Sequence, residues 1–308
     1  MSRSHIIALA ALTLIATAAS AQDKGTLDPK PLPPLARPED PHTPAKELFA
    51  RKTEPAPLAA RSIGTYVRGC LSGAVALPIN GKTWQVMRLS RNRNWGHPKL
   101  LEFLERLTSK VPKTAGWSGL LVGDLGQPRG GPTLTGHASH QIGLDADIWL
   151  TPMPNRELSR EERETMSATN VVAADRRDVD PAVWTKQHGL VIKTAAEDPG
   201  VERIFVNAAI KKALCREAGS DRAWLSKVRP WWGHDFHFHV RMHCPADNPD
   251  CRGQEPTRSG DGCAASELSW WFKDSVLHPK PSPEPRKPRP PVTLADLPAA
   301  CRQVLAAP

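Results

Sequence analysis

Residues 231–243 read WWGHDFHFHVRMH. Phe236, Phe238, Val240 and Met242 fall on one face of this stretch, and His237, His239 and Arg241 on the other. Alternation with period 2 marks a strand, because successive side chains of an extended chain point to opposite sides. One face suits a core, and the other carries histidines. A second stretch complements it. Residues 136–149 read GHASHQIGLDADIW, in which Gly136, Gly143, Ala138 and Ser139 allow a tight approach into a strand over 144–149. There Leu144, Ala146 and Ile148 face one way, and Asp145 and Asp147 the other. Two carboxylates on one face of a sheet are poor choices for burial without a cation.

Working outward, the alternation over 84–89 (WQVMRL) predicts a strand, and 118–122 another. Between them, 97–111 places Leu100, Leu104, Leu107 and Val111 on one helical stripe, with Pro98 in the first turn. Ser159 and Glu162 form a capping box for a helix through the 160s. Asp180-Pro181 opens a further helix that ends near Asp198-Pro199-Gly200. A short strand over 203–206 and a helix ending near Ala218-Gly219 follow. Strands and helices mix without strict alternation, which predicts an α+β fold: a central antiparallel sheet carrying a zinc site, flanked by helices.

The chain has 308 residues and 31 prolines, about twice the usual share. Nine prolines fall within 29–57 and eight within 279–298. Packed structure is therefore expected over 62–278, between a Pro-rich spacer (22–61) and a Pro-rich tail (279–308). Arg3, the apolar run 6–17 and Ala19-Ser20-Ala21 read as a secretory signal over 1–21, cleaved after Ala21. No later run is long and apolar enough to span a bilayer, so no stable membrane insertion is expected. The net charge of +9 suits an acidic partner. With an export signal and no nucleic-acid fold motif, nucleic acid is excluded as that partner.

An exported chain with six cysteines points to a disulfide framework, with 15 possible connectivities. Cys244 and Cys251 bracket a loop with turn chemistry at Pro245, Asn248 and Pro249. Cys70 opens the packed region and Cys301 lies beyond the second proline run, so joining them would tie down the tail. Cys215 and Cys263 remain. No C-x-x-C occurs, which argues against a Cys-type zinc site.

Seven histidines (His97, His137, His140, His234, His237, His239, His243) lie in or near the two motif stretches. Zinc takes His nitrogen and carboxylate oxygen, and a catalytic site supplies three protein ligands. His140, Asp147 and His239 can form such a set from two strands. Residues i and i+2 sit roughly 6.6 Å apart along a strand, so spacing leaves open whether His237 is a ligand or a base. Calcium is disfavoured, because imidazole is not its ligand. Trp231, Trp232, Trp270 and Trp271 suit a glycopeptide surface, although core burial is expected for at least half of them. Arg241 is open to two readings, an oxyanion contact or a structural ion pair.

These motifs, together with GTYVRGCLSGAVALP (64–78), VMRLSRNRNWGHP (86–98), RIFVNAAIKKALC (203–215) and SGDGC (259–263), resemble the penicillin-insensitive murein endopeptidases. Those enzymes belong to the zinc peptidases that include lysostaphin-type and D-Ala-D-Ala peptidases. The resemblance covers nearly all of 62–278. It implies zinc bound by His140, Asp147 and His239, with His237 as the base and His234 lining the site. It also implies a further metal site at His137 and Asp175, where the family has His in place of Asp178. It pairs Cys70–Cys301, Cys215–Cys263 and Cys244–Cys251. The implied activity is periplasmic hydrolysis of D-alanyl–diaminopimelate cross-links in peptidoglycan, insensitive to β-lactams. The alternatives are a D-Ala-D-Ala carboxypeptidase on the same site, or a non-catalytic wall-binding module with a structural metal.

Overall fold

The computed structural model describes residues 24–280 and 290–308, so the expected signal sequence lies outside the described residues. The fold is mixed. Strands β1 (Arg61–Thr65), β2 (Arg68–Ser72), β3 (Val75–Ala76), β4 (Asn80–Gly81), β5 (Trp84–Val86) and β6 (Trp95–Gly96) precede β7 (Leu120–Val122) and β8 (Asp145–Pro152). Three more follow: β9 (Val201–Val206), β10 (Val228–Pro230) and β11 (His237–Met242). Helices α1 (Ala45–Phe49), α2 (Pro98–Thr114), α3 (Arg160–Thr165), α4 (Lys186–Ala196) and α5 (Ala208–Glu217) are joined by the short α6 (Ala265–Leu268), α7 (Asp274–Leu277) and α8 (Ala300–Ala306).

A seven-stranded sheet in the order β10-β9-β11-β8-β7-β5-β4 carries the molecule. It is mixed, which corrects the antiparallel expectation: β10 pairs with β9 and β5 with β7 in parallel. The physical reason lies in the connections. Parallel neighbours need a crossover of a dozen or more residues, and α2 and α5 supply one each.

The two motif strands lie side by side near the middle. β11 pairs antiparallel with β8, placing His239 opposite Asp147 and Arg241 opposite Asp145. One face of this pair (Ala146, Ile148, Phe238, Val240, Met242) joins the main core with Leu100, Leu104 and Leu107 of α2, Val191 and Ile192 of α4, and Ile210 of α5. The opposite face is buried too, since all six residues of β11 are inaccessible. Phe236 departs from the expected apolar face: β11 begins one residue later, and Phe236 packs with Met87 and Trp149 on the other side.

Local signals set the element ends. His97 caps α2, its Nδ1 accepting from the Lys99 amide at 3.2 Å. The Ser159/Glu162 capping box opens α3. The helix expected from Asp180-Pro181 begins only at Lys186, because a turn and a Thr185/His188 box intervene. The strand expected over 84–89 stops at Val86 and gives way to a 3-10 turn over Leu89–Arg91.

The proline-rich flanks also depart from expectation, because part of each is packed. Ala45 and Phe49 of α1, with Ala56, form a satellite core with Ile63, Leu297, Val304 and the Cys70–Cys301 disulfide. The Ala45 amide donates to Val292 O at 2.7 Å, tying the two flanks together. Buried Arg129 donates to four carbonyls at the end of α8, at 2.9, 3.1, 2.6 and 2.9 Å. The other cysteines pair as Cys215–Cys263 and Cys244–Cys251. Among the described residues, no helix is long and apolar enough to cross a membrane.

Candidate metal centre and active site

The centre is assembled around Asp147. Its Oδ1 lies 3.0 Å from His239 Nδ1, 3.4 Å from His140 Nε2 and 3.7 Å from His237 Nε2. Its Oδ2 lies 3.2 Å from His137 Nε2. Among the described residues, His137, His140 and Asp147 bring ligand atoms within 4.8 Å of one another. The two carboxylate oxygens thus divide the histidines: His140 and His239 meet at one, His137 at the other.

The backbone explains how these side chains converge. Gly143 has a φ of 70°, and a Cβ there would lie 2.4 Å from Leu71 Cδ2 and 2.9 Å from His97 N. Only glycine fits this close approach, which turns the chain into β8. His140 also has positive φ, at 66°, a conformation that costs a β-carbon-bearing residue about 1–2 kcal/mol. Its amide donates to Asp145 Oδ2 at 3.0 Å, and its Nδ1 donates to Leu125 O at 2.5 Å. With Nδ1 protonated, Nε2 presents a lone pair toward Asp147. His239 is fixed in the opposite sense. Its Nε2 donates to Asp145 Oδ1 at 2.8 Å, leaving Nδ1 to face Asp147.

Asp145 is therefore the hub behind His140 and His239, and it is fully buried. The same Oδ1 accepts from Arg241 Nε at 2.7 Å, while Arg241 also donates to Gln254 at 2.7 Å and stacks 4.1 Å from the Tyr66 ring. That geometry assigns Arg241 the ion-pair role and takes it away from an oxyanion contact.

Several buried polar atoms here lack a hydrogen-bond partner among the described residues: His140 Nε2, Asp147 Oδ1 and both ring nitrogens of His237. Orphaned buried donors and acceptors are costly. Their convergence, from nitrogen and carboxylate oxygen, fits a divalent cation of zinc's preference. Electrostatics agree. Burial raises the Asp147 carboxyl, but His137, His140 and His237 outweigh it and hold the group well below the carboxylate range. Burial disfavours a charge on His239, but Asp145 and Asp147 raise its pKa. A cation entering the site meets the ionised Asp147 carboxylate, with Asp145 behind the His239 ring.

His237 and His234 are different. Burial pushes His237 down to about 4 despite nearby Asp147. Burial, then His237 and His239, push His234 down to about 3. Both are neutral bases at pH 7. The His234 and His237 ring centroids lie 4.8 Å apart, and His234 Nδ1 donates to Trp232 O at 2.7 Å.

The remaining expected residues lie elsewhere. Asp175 is exposed, accepts from the Arg177 amide at 3.0 Å, and joins no ligand group with His137 among the described residues. Asp178 is engaged by Arg216 at 2.9 and 3.2 Å and by Lys212 at 3.0 Å. His97 serves as a helix cap and His243 is exposed. The core reading of the tryptophans is corrected: Trp231, Trp232 and Trp270 are 53%, 48% and 47% exposed. Trp232, Trp270 and Trp271 meet edge-to-face, which satisfies the rings without burying them.

One functional neighbour carries no sequence signal. Buried Asp124 places Oδ2 3.5 Å from His137 Nε2 and accepts from Arg91 at 3.0 Å and Arg93 at 2.9 Å. A lone aspartate in a glycine-flanked loop has nothing local to mark it.

A family model described as penicillin-insensitive murein endopeptidase matches residues 62–306. A Haemophilus influenzae protein of that name is 48% identical over 251 residues, covering 81% of this chain and 84% of the relative. A Klebsiella pneumoniae protein of the same name is 46% identical over 254 residues, 82% of this chain and 89% of its own. One from Yersinia enterocolitica is 45% identical over 253 residues, 82% and 88% of the two chains.

Proposed function

This chain belongs to the penicillin-insensitive murein endopeptidase family and is a murein endopeptidase, and we propose that it works with one zinc ion held by His140, Asp147 and His239. The observation that carries the metal assignment is the meeting of His140 Nε2 and His239 Nδ1 at Asp147 Oδ1, each ring oriented from behind by a hydrogen bond. Zinc in such a site polarises a scissile carbonyl and acidifies a water molecule. The chain's own residues do the rest. Neutral His237 takes the proton of the attacking water and returns it to the leaving amine. His234 lines the same side, and Asp145 keeps His239 in the ligating tautomer.

The scissile bond we assign is the D-alanyl–diaminopimelate cross-link of peptidoglycan, and the site of action the periplasm, reached through the signal over 1–21. The reaction needs no serine nucleophile, so β-lactams have nothing to acylate. A second metal position stays a proposal at His137, which lies at Asp147 Oδ2, and Asp175, its other expected residue, is exposed and accepts from the Arg177 amide in this structure. The domain plan is 62–278 as the catalytic unit, with the tail over 279–308 held by the Cys70–Cys301 disulfide. Cleavage of cross-linked muropeptides from sacculi, followed by mass spectrometry, tests the proposal. Activity should vanish with a chelator and return with zinc. Full activity in the metal-free protein would sink it, and release of terminal D-alanine from free pentapeptide would favour a carboxypeptidase.

A further inference from the structure

Next to the loop that leads into His137 lies a cleft of about 860 Å³, walled by the proline-rich segment at Pro29–Pro34 on one side and by Leu89–Arg93 and Leu134–Thr135 on the other. Six cations line it: Lys30, Arg51, Lys52, Arg91, Arg93 and Arg160. No carboxylate lines it among the described residues. Part of this charge is offset from behind. Arg51 pairs with Glu47, Arg91 and Arg93 with Asp124, and Lys30 with Asp28 at 3.9 Å. Lys52 and Arg160 make no ion pair among the described residues. Burial, then nearby Arg129, lowers the Lys52 ammonium, as expected of an uncompensated cation.

The cleft is wired to the active site through Arg91 and Arg93, which both donate to Asp124. Arg93 donates to Asp124 at 2.9 Å and to Thr135 O at 3.0 Å. Asp124 lies 3.5 Å from His137, and Thr133 Oγ1 donates to His137 O at 3.2 Å. An anion in the cleft therefore lies along the same loop that presents His137. A concave site lined by one sign of charge focuses its field and concentrates a ligand of opposite sign. Its volume falls in the range of small-ligand sites.

We propose that this cleft is a subsite for a carboxylate-bearing peptide, the stem peptide of murein, held by Lys52 and Arg160 while the cross-link lies at the metal centre. The inference rests on the murein endopeptidase reading for the identity of the peptide. It also gives the proline-rich segment a task, as one wall of the subsite.

The test is binding of a labelled, un-cross-linked stem tetrapeptide, which holds no cross-link to cleave, measured by fluorescence polarisation on the mature full-length chain. Wild type should bind it, with affinity falling as salt rises. The doubly charge-reversed K52E/R160E variant should bind at least tenfold more weakly, and so should wild type with the fully amidated peptide. A control with the same charge change on exposed Lys113 and Lys186, K113E/K186E, should match wild type. Absence of binding overturns the proposal, as does equal affinity for the amidated peptide or equal weakening in the control. Cleavage of a cross-linked dimer is measured separately. Loss of cleavage with acid-selective binding intact removes the zinc endopeptidase reading and leaves the subsite standing.

Discussion

The β8–β11 pair and the packed flanks, α1 with α8, each form a buried contact, yet they are built on opposite principles. The strand pair buries charge: Asp145, Asp147, His237, His239 and Arg241 are all buried on two adjacent strands, with Asp147 Oδ1 and both His237 nitrogens left without a hydrogen-bond partner among the described residues. The flanks bury Phe49, Leu297 and Val304, and are closed by a disulfide spanning 231 residues of sequence. One region is held by register, the other by long-range closure. The first should fail in chemistry when altered and the second in stability, and each can be broken without the other.

The sharpest break is within β11. His239→Ala removes one of the three proposed ligands and should lose zinc and cleavage together. His237→Ala should keep zinc, since three ligands remain, and lose activity roughly 10²–10⁴-fold. Atomic absorption and cleavage rate, measured on each purified variant with circular dichroism as the folding check, decide it. If His237→Ala loses zinc as readily, His237 is a ligand and His234 becomes the candidate base.

Replacing both Cys70 and Cys301 by serine tests the other region. Removal of a native disulfide typically costs about 2–5 kcal/mol, with more expected for a long loop. The thermal midpoint should drop while zinc content and cleavage at 25 °C stay as in wild type. Loss of zinc in this variant would show that the flanks and the centre are coupled.

Asp145→Asn probes the hub within the strand pair. It keeps the shape but weakens the hold on the His239 tautomer, and loss of such a partner costs about 10–100-fold in metal affinity. Competition with a zinc chromophore reads the affinity directly. Unchanged affinity would reduce Asp145 to a partner of Arg241 alone.

The smallest effect concerns the turn entering β9. Burial pushes the Asp198 carboxyl up, but Arg106 and the Gly200 amide outweigh it and hold the pKa below its ordinary 3.8. A lowered carboxyl contributes stability above its unfolded pKa and loses it as pH falls through the folded one. The thermal midpoint should therefore fall below about pH 4, and Arg106→Ala should flatten part of that fall. Arg106 is 47% exposed, so the difference should stay within about 1 kcal/mol. Parallel melting curves for the two proteins down to pH 2 would show no role for the pair.

Much of the site was legible because its signals are local. Alternation over 231–243 placed Phe238 and Val240 opposite His237 and His239, and the GLDADIW run did the same for Asp145 and Asp147. The capping residues of α2 and α3 act within one turn, so they too could be read directly. Asp124 could not, since its partners are 31 and 33 residues away for the arginines and 13 for His137. The proline count suggested spacers, yet Phe49 is fully buried. Composition reports the cost of ordering a segment, not the docking surface that offsets it.

By itself, the sequence determined the strands that carry the chemistry, the residue types that could hold a metal, and the family to which the chain belongs. The first two follow from side-chain alternation and short-range spacing, which each segment carries with it, and the third from the resemblance of its motifs. Only the tertiary structure decided which nitrogen of His140 and His239 faces Asp147. It alone set the parallel edges of the sheet, the exposure of the tryptophans and the basic cleft against the proline-rich wall. Each of these depends on atoms from segments distant in sequence, and no local pattern records where such segments meet.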